Sequence, residues 1–172
     1  PSDWSVVSQE VNQAANIHTS GGTNLDHREG TTLFWSDTTA QFWQDYTFES
    51  NFRSTDDDGI GVVFYYTDEN NYYKIDFDES RSFSKLFQVQ DGVETTLAEA
   101  SGPGYVIGAD TQLEVSVSDG DITVLRDGED VFGGPVQNGA LTSGTVGFYS
   151  WGNTGANFDD VIVTSNVPPA PP

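Results

Sequence analysis

Three Asp-Gly pairs, Asp91-Gly92, Asp119-Gly120 and Asp127-Gly128, each separate two short runs rich in apolar and β-branched residues. A two-residue hairpin loop whose twist matches its flanking strands needs positive φ at both central positions, and Asp followed by Gly meets that need at low steric cost. The middle of the chain is therefore predicted to be a meander of antiparallel hairpins. Glu69-Asn70-Asn71 predicts a further turn between the runs 61–66 and 72–77.

Strand signals extend over the rest of the sequence. Short runs of Val, Ile, Thr, Tyr and Phe alternate in polarity and are broken by Gly, Asp and Asn clusters. They predict strands over 4–7, 10–14, 32–35, 45–53, 60–66, 72–78, 83–90, 94–98, 112–118, 121–126, 129–132, 144–150 and 157–164. No window carries helical periodicity over ten residues. About a dozen short strands joined by hairpins predict an all-β fold, a two-sheet antiparallel β-sandwich of jelly-roll type. In 45–53 one face is Tyr46, Phe48, Ser50 and Phe52, expected in the core; the other is Asp45, Thr47, Glu49, Asn51 and Arg53. Val146 and Phe148, then Phe158, Val161 and Val163, supply core positions in the last two strands.

With 172 residues and no polar stretch between Trp4 and Val163 that would divide two cores, one domain over 1–166 is expected. The segment 167–172, Val-Pro-Pro-Ala-Pro-Pro, reads as an extended, semi-rigid linker, which predicts a module within a longer, multidomain chain. The net charge of -21, from 27 acidic against six basic side chains, excludes a nucleic-acid backbone or an anionic membrane surface as partner. Such an excess suits a salty medium, which screens charge within about 3 to 10 Å, or bound divalent cations. With no cysteine there is neither a disulfide framework nor a thiolate metal site. No run approaches the length of a membrane span. A secreted, extracellular or cell-surface setting, with calcium in place of disulfides, is the expectation.

The sharpest local feature is Ser54-Thr55-Asp56-Asp57-Asp58-Gly59-Ile60-Gly61. Adjacent carboxylates in one turn repel unless a cation sits among them. Calcium takes six to eight hard oxygens, of which Asp56, Asp57 and Asp58 supply three; a solvated turn with Asx hydrogen bonds is the alternative. A second loop, 150–160, carries Asn153, Asn157, Asp159 and Asp160, and in a sandwich it can share an end with the first. The spacing of an EF-hand cannot be laid on either. Catalysis finds little support. There is no Gly-x-Ser-x-Gly elbow, and His18 and His27 both fall in a loop-like stretch. Asp76 and Asp78 share one face of a predicted strand, but position 74 is Lys, where a β-sandwich glycanase pattern would place Glu. For ligand contact, Tyr72, Tyr73, Arg81, Tyr149, Trp151 and Asn153 lie near strand ends or turns; core packing is the first reading for each aromatic except Trp151, which has no obvious burial beside its Gly-Asn-Thr-Gly loop.

Taken together, Trp4-Ser-Val-Val with Glu10-Val-Asn-Gln13, Asp56-Asp-Asp-Gly-Ile-Gly-Val-Val-Phe64, Asn70-Asn-Tyr-Tyr73 with Arg81-Ser-Phe83, and Ser143 to Asn153 followed by Phe158-Asp-Asp-Val161 carry a resemblance. The span from Trp4 to Val163 resembles the concanavalin A-like/laminin G-like jelly-roll family, close to thrombospondin C-terminal lectin-like modules. It also looks like the calcium-dependent, peptide-capturing domains of bacterial repeats-in-toxin adhesins. The resemblance implies Ca²⁺ held by Asp56, Asp57, Asp58, Asn153, Asp159 and Asp160, and ligand contacts from Tyr73, Arg81, Tyr149, Trp151 and Asn153. It implies a monomeric, non-catalytic adhesin module that binds peptide on a target cell. A carbohydrate-binding module, a calcium-stiffened spacer and, last, an enzyme are the competing functions.

Overall fold

The computed structural model describes residues 4–6 and 31–166. Among these, β1 (Trp4–Val6), β2 (Thr31–Trp35), β4 (Gly59–Asp68), β5 (Asn71–Asp78), β6 (Phe83–Gln90), β7 (Val93–Ser101) and β12 (Thr145–Trp151) form one sheet in the order β1-β2-β12-β4-β5-β6-β7. The second sheet runs β10-β9-β8-β3-β13, with β11 paired to β9. Its strands are β3 (Tyr46–Ser54), β8 (Thr111–Ser118), β9 (Asp121–Arg126), β10 (Glu129–Asp130), β11 (Val136–Gln137) and β13 (Ala156–Ser165). Every pairing is antiparallel, from β1 on β2 to β13 on β3. The predicted all-β sandwich is the fold. Its jelly-roll winding shows where β13 pairs with β3 and β12 with β4, partners distant in sequence, while β4 to β7 and β8 to β10 run as hairpins.

The Asp-Gly pairs turn the chain as expected. Asp91, Asp119 and Asp127 have φ of 50, 51 and 52°, and Gly92, Gly120 and Gly128 have 77, 83 and 81°. That double positive φ is what a two-residue hairpin loop requires. The predicted strand at 10–14, His18, His27 and the linker 167–172 lie outside the described residues. β11 and a 3-10 turn over Ala40–Phe42 were not foreseen; both are too short to carry a periodic signal.

The core between the sheets is aromatic. Tyr46, Phe48 and Phe52 from β3 meet Ile60, Val62 and Phe64 of β4, Tyr73, Ile75 and Phe77 of β5, and Phe148 of β12. The Phe52 and Phe77 rings stack 5.5 Å apart. At the other end of β3, Tyr65 sits in a bulge at φ 46°, which costs an aromatic residue strain. Two bonds hold it there: its N–H donates to Tyr46 Oη at 2.9 Å, and its own Oη accepts Asp45 N–H at 3.1 Å. One expected core position fails. Val161 is exposed, because a bulge between Asp159 and Ile162, with Asp160 at φ 53°, breaks the alternation of β13.

The far face of the seven-stranded sheet, turned away from the other sheet, is buried as well. Val63, Tyr66, Tyr72, Val89, Tyr149 and Trp151 form a second apolar cluster there with Phe34. Lys74, Asp76 and Asp78 run along the same face of β5, all at 0% exposure. The Lys74 ammonium is 3.2 Å from Glu94 and lies over the rings of Phe87 and Tyr149, at 4.7 and 4.5 Å, so burial of its charge is compensated.

Candidate functional site

Three connections meet at the end of the sandwich where β3 stops: the β3–β4 loop over 55–58, the β5–β6 turn over 79–82 and the β12–β13 loop over 152–155. Ser54, the buried last residue of β3, begins the assembly. Its hydroxyl accepts the Asp56 N–H at 3.0 Å and lies 2.9 Å from both the Asp56 carbonyl and Asn153 Oδ1. The Asp56 carboxylate accepts the N–H and hydroxyl of Thr154, at 2.8 and 2.7 Å, and the Asp57 N–H at 2.9 Å. It thereby stitches the first loop to the third. Gly155 is required beside this stitch, since a Cβ there would stand 2.1 Å from Thr55 Oγ1.

The backbone carbonyls of the acidic loop point inward and are satisfied by protein. Tyr105 Oη lies 2.9 Å from the Asp56 carbonyl and 2.6 Å from that of Asp58. Asn153 Nδ2 donates to the Asp58 carbonyl at 3.0 Å, and Ser80 N–H to that of Asp57 at 2.7 Å. The side chain of Asp57 is left at the surface, while Asp58 is buried.

Arg81 closes the cluster. Its guanidinium lies 4.1 Å over the Trp151 ring, pairs with the buried Asp78 carboxylate and approaches Asp58 at 3.5 Å. Asp78 also accepts the Arg81 N–H and the Ser80 hydroxyl, each at 2.8 Å. The result is a cation held by stacking and two carboxylates with 27% of its side chain exposed. Burial pushes the Asp58 carboxyl above its ordinary range, with Arg81 pulling the other way and Asp78 adding to the rise. Burial raises Asp78 too, against the bonds from Ser80 and Arg81. Burial also acts to raise Asp56, but the bonds from Thr154 and Asp57 outweigh it and hold that carboxyl low.

Of the sequence-predicted residues, the structure brings together Asp56, Asp57, Asp58, Arg81, Trp151 and Asn153. One carboxylate oxygen from each of Asp56, Asp57 and Asp58 lies within 4.8 Å of the others. Asp159 and Asp160 are elsewhere: they sit beside Asn51 on β13, three residues from Ser54 and about 10 Å along the strand, with Asp160 bonded to Asn51 Nδ2 at 2.7 Å. They do not join the acidic loop. Three aromatics among the ligand candidates, Tyr73, Tyr149 and Trp151, are buried. Tyr73 points into the core, its Oη 2.7 Å from Asn138 Oδ1 and accepting the Leu141 N–H. Tyr149 and Trp151 lie in the far-face cluster, so the expected lack of burial for Trp151 is overturned. Asn153 spends its amide on Ser54, Asp58 and Tyr105 and positions the loops.

Sequence reasoning missed Tyr105, Ser80 and Thr154 as members of the site. Nothing local marks them; only the folded loop arrangement brings them to Asp56 and Asp58. Asp78 was visible as a strand carboxylate, but its partner Arg81 follows across a turn whose direction the pattern does not fix. Among the described residues no helix is long and apolar enough to cross a membrane.

No family model matches this chain, and no curated protein matches it. Solved structures do match in fold. The carbohydrate-binding module CBM66 from Bacillus subtilis superposes with a TM-score of 0.68 at 21% identity, over 79% of this chain and 82% of that one. The GH43 protein BlXynB from Bacillus licheniformis gives 0.57 at 16% identity; 78% of this chain covers only 29% of it. Galectin-Va from Xenopus laevis gives 0.57 at 17% identity, over 73% of this chain and 91% of that one. These likenesses are to jelly-roll sandwiches and establish the fold.

Proposed function

We propose that this chain is a non-catalytic carbohydrate-binding module that works outside the cell, with its glycan site at the loop end around Arg81. The observation that carries the reading is the Arg81 guanidinium, fixed on Trp151 between Asp58 and Asp78 and still partly open to solvent. Asp57, Ser80, Ser82 and Thr154 are exposed on the same three loops. Preset donors and acceptors of this kind bind sugar hydroxyls without first losing side-chain entropy. The similarity to a carbohydrate-binding module and to galectins supports glycan over the peptide ligand ranked first on sequence. The test is isothermal titration against neutral oligosaccharides and, in parallel, against peptides bearing a free C-terminus. Saturable glycan binding that falls about tenfold in Arg81→Ala and in the milder Asp57→Asn is expected. Binding of peptide alone would restore the adhesin reading.

A calcium ion at Asp56, Asp57 and Asp58 is a second reading, favoured by the convergence of their carboxylate oxygens. The engaged carbonyls leave such an ion three carboxylates and water, a weaker set than calcium usually takes. It would brace the loops and not touch the ligand. Thermal unfolding with EDTA against added Ca²⁺ tests it: a rise of several degrees supports a bound ion, and superimposable curves remove it.

A further inference from the structure

At the opposite end of the sandwich, where β3 begins, lies a cavity of about 500 Å³ lined by Phe42, Trp43, Gln44, Tyr46, Val163 and Ser165. We infer that this cavity is a second carbohydrate site, one that takes an uncharged sugar ring against Phe42 and Trp43. It is separate from the loop end: Tyr46 and Ser54 are the two ends of β3, eight steps apart, or about 27 Å. The inference stands whether or not the Arg81 site binds glycan.

Rigidity is the first support. The 3-10 turn over Ala40–Phe42 is closed by the Phe42 N–H on the Thr39 carbonyl and the Trp43 N–H on that of Ala40, and Gly144 N–H ties the Trp43 carbonyl to the start of β12. The Trp43 ring stands edge-on to Tyr46, 6.4 Å between centroids. Phe42 is nevertheless 78% exposed, an apolar ring held in water by a fixed turn. Charge is the second support. In a chain of net charge -21, no carboxylate, ammonium or guanidinium lines this cavity among the described residues. An anion finds no counter-charge there and a cation gains none, so the occupant that fits is neutral. Polarity is the third. The exposed Gln44 sets an amide beside Phe42 and Trp43. A purely apolar side chain would desolvate that amide without return, whereas a sugar ring offers C–H groups to the rings and hydroxyls to the amide. Two sites at opposite ends would let one module hold a polysaccharide at two places, or join two chains.

The test follows the indole resonance of Trp43, assigned by Trp43→Phe, in the full chain titrated with cellotetraose, xylotetraose and galactotetraose to about 10 mM. At least one is expected to shift it saturably. Phe42→Ala should weaken that binding about tenfold without altering the melting temperature, and Arg81→Ala should leave it unchanged. No shift with any of the three overturns the inference, as does binding indifferent to Phe42→Ala. A shift on deleting 167–172 without sugar would instead assign the cavity to the chain's own prolines. A shift that depends on protein concentration would assign it to a second copy.

Discussion

Strands β3 and β5 face each other across the core, yet their far faces differ. Along β3 burial alternates, and Thr47, Glu49, Asn51 and Arg53 look outward as their polarity demands. Along β5 it does not: Tyr72, Lys74, Asp76 and Asp78 are as buried as Tyr73, Ile75 and Phe77. The difference teaches that a charged residue in a strand marks solvent only where nothing compensates the charge. Lys74 is matched by Glu94 and two rings, and Asp78 by Arg81 and Ser80. The candidate site grows out of the end of that second buried face.

Trp151 tests the contrast most strongly. It is fully buried in the far-face cluster under Arg81, so Trp151→Ala should cost about 3 to 5 kcal/mol in urea unfolding. A loss below 1 kcal/mol, on the scale of an ordinary surface substitution, would mean the far face is not a packed layer. Asp56 comes next. Asp56→Ala removes the acceptor for Thr154 and Asp57 and should cost about 1 kcal/mol at neutral pH. The sign with pH is fixed by the low folded value of that carboxyl. Its contribution is full above the unfolded value and is lost as pH falls through the folded one, so the gap between wild type and variant should close in acid. Asp58 and Asp78, raised by burial, behave oppositely, their protonated forms favouring the fold at low pH. Smallest of all is Glu49→Ala on the far face of β3, expected within about 0.5 kcal/mol of wild type. A larger cost there would erase the difference between the two sheets.

Much of the architecture was legible because it rests on local rules. The Asp-Gly turns, the alternation of 45–53 and the spacing of strands lead to two antiparallel sheets. That the loop of Asp56 to Asp58 and the loop of Asn153 share one sandwich end was legible; that Arg81 joins them was not, because the direction of the 79–82 turn is not encoded in strand alternation. Burial of Tyr73 and Tyr149 agrees with core packing as the first reading of an aromatic in a strand; burial of Trp151 was not legible, since it depends on layers that strand periodicity does not encode. Nor was the separation of Asp159 and Asp160 from the acidic loop, which a bulge in β13 and its register on β3 decide. The cavity at Phe42 escaped for a similar reason: a three-residue turn presents the ring, and an isolated Phe in a sequence reads as core.

The central claim is that sugar binds at the loop end around Arg81. The measurement that tests it most directly is a backbone amide chemical-shift map of the chain titrated with a neutral oligosaccharide found to bind by calorimetry. The account predicts saturable shifts concentrated at 56–58, 80–82 and 153–154, and their loss in Arg81→Ala. Saturable glycan binding that leaves those amides unmoved would contradict it.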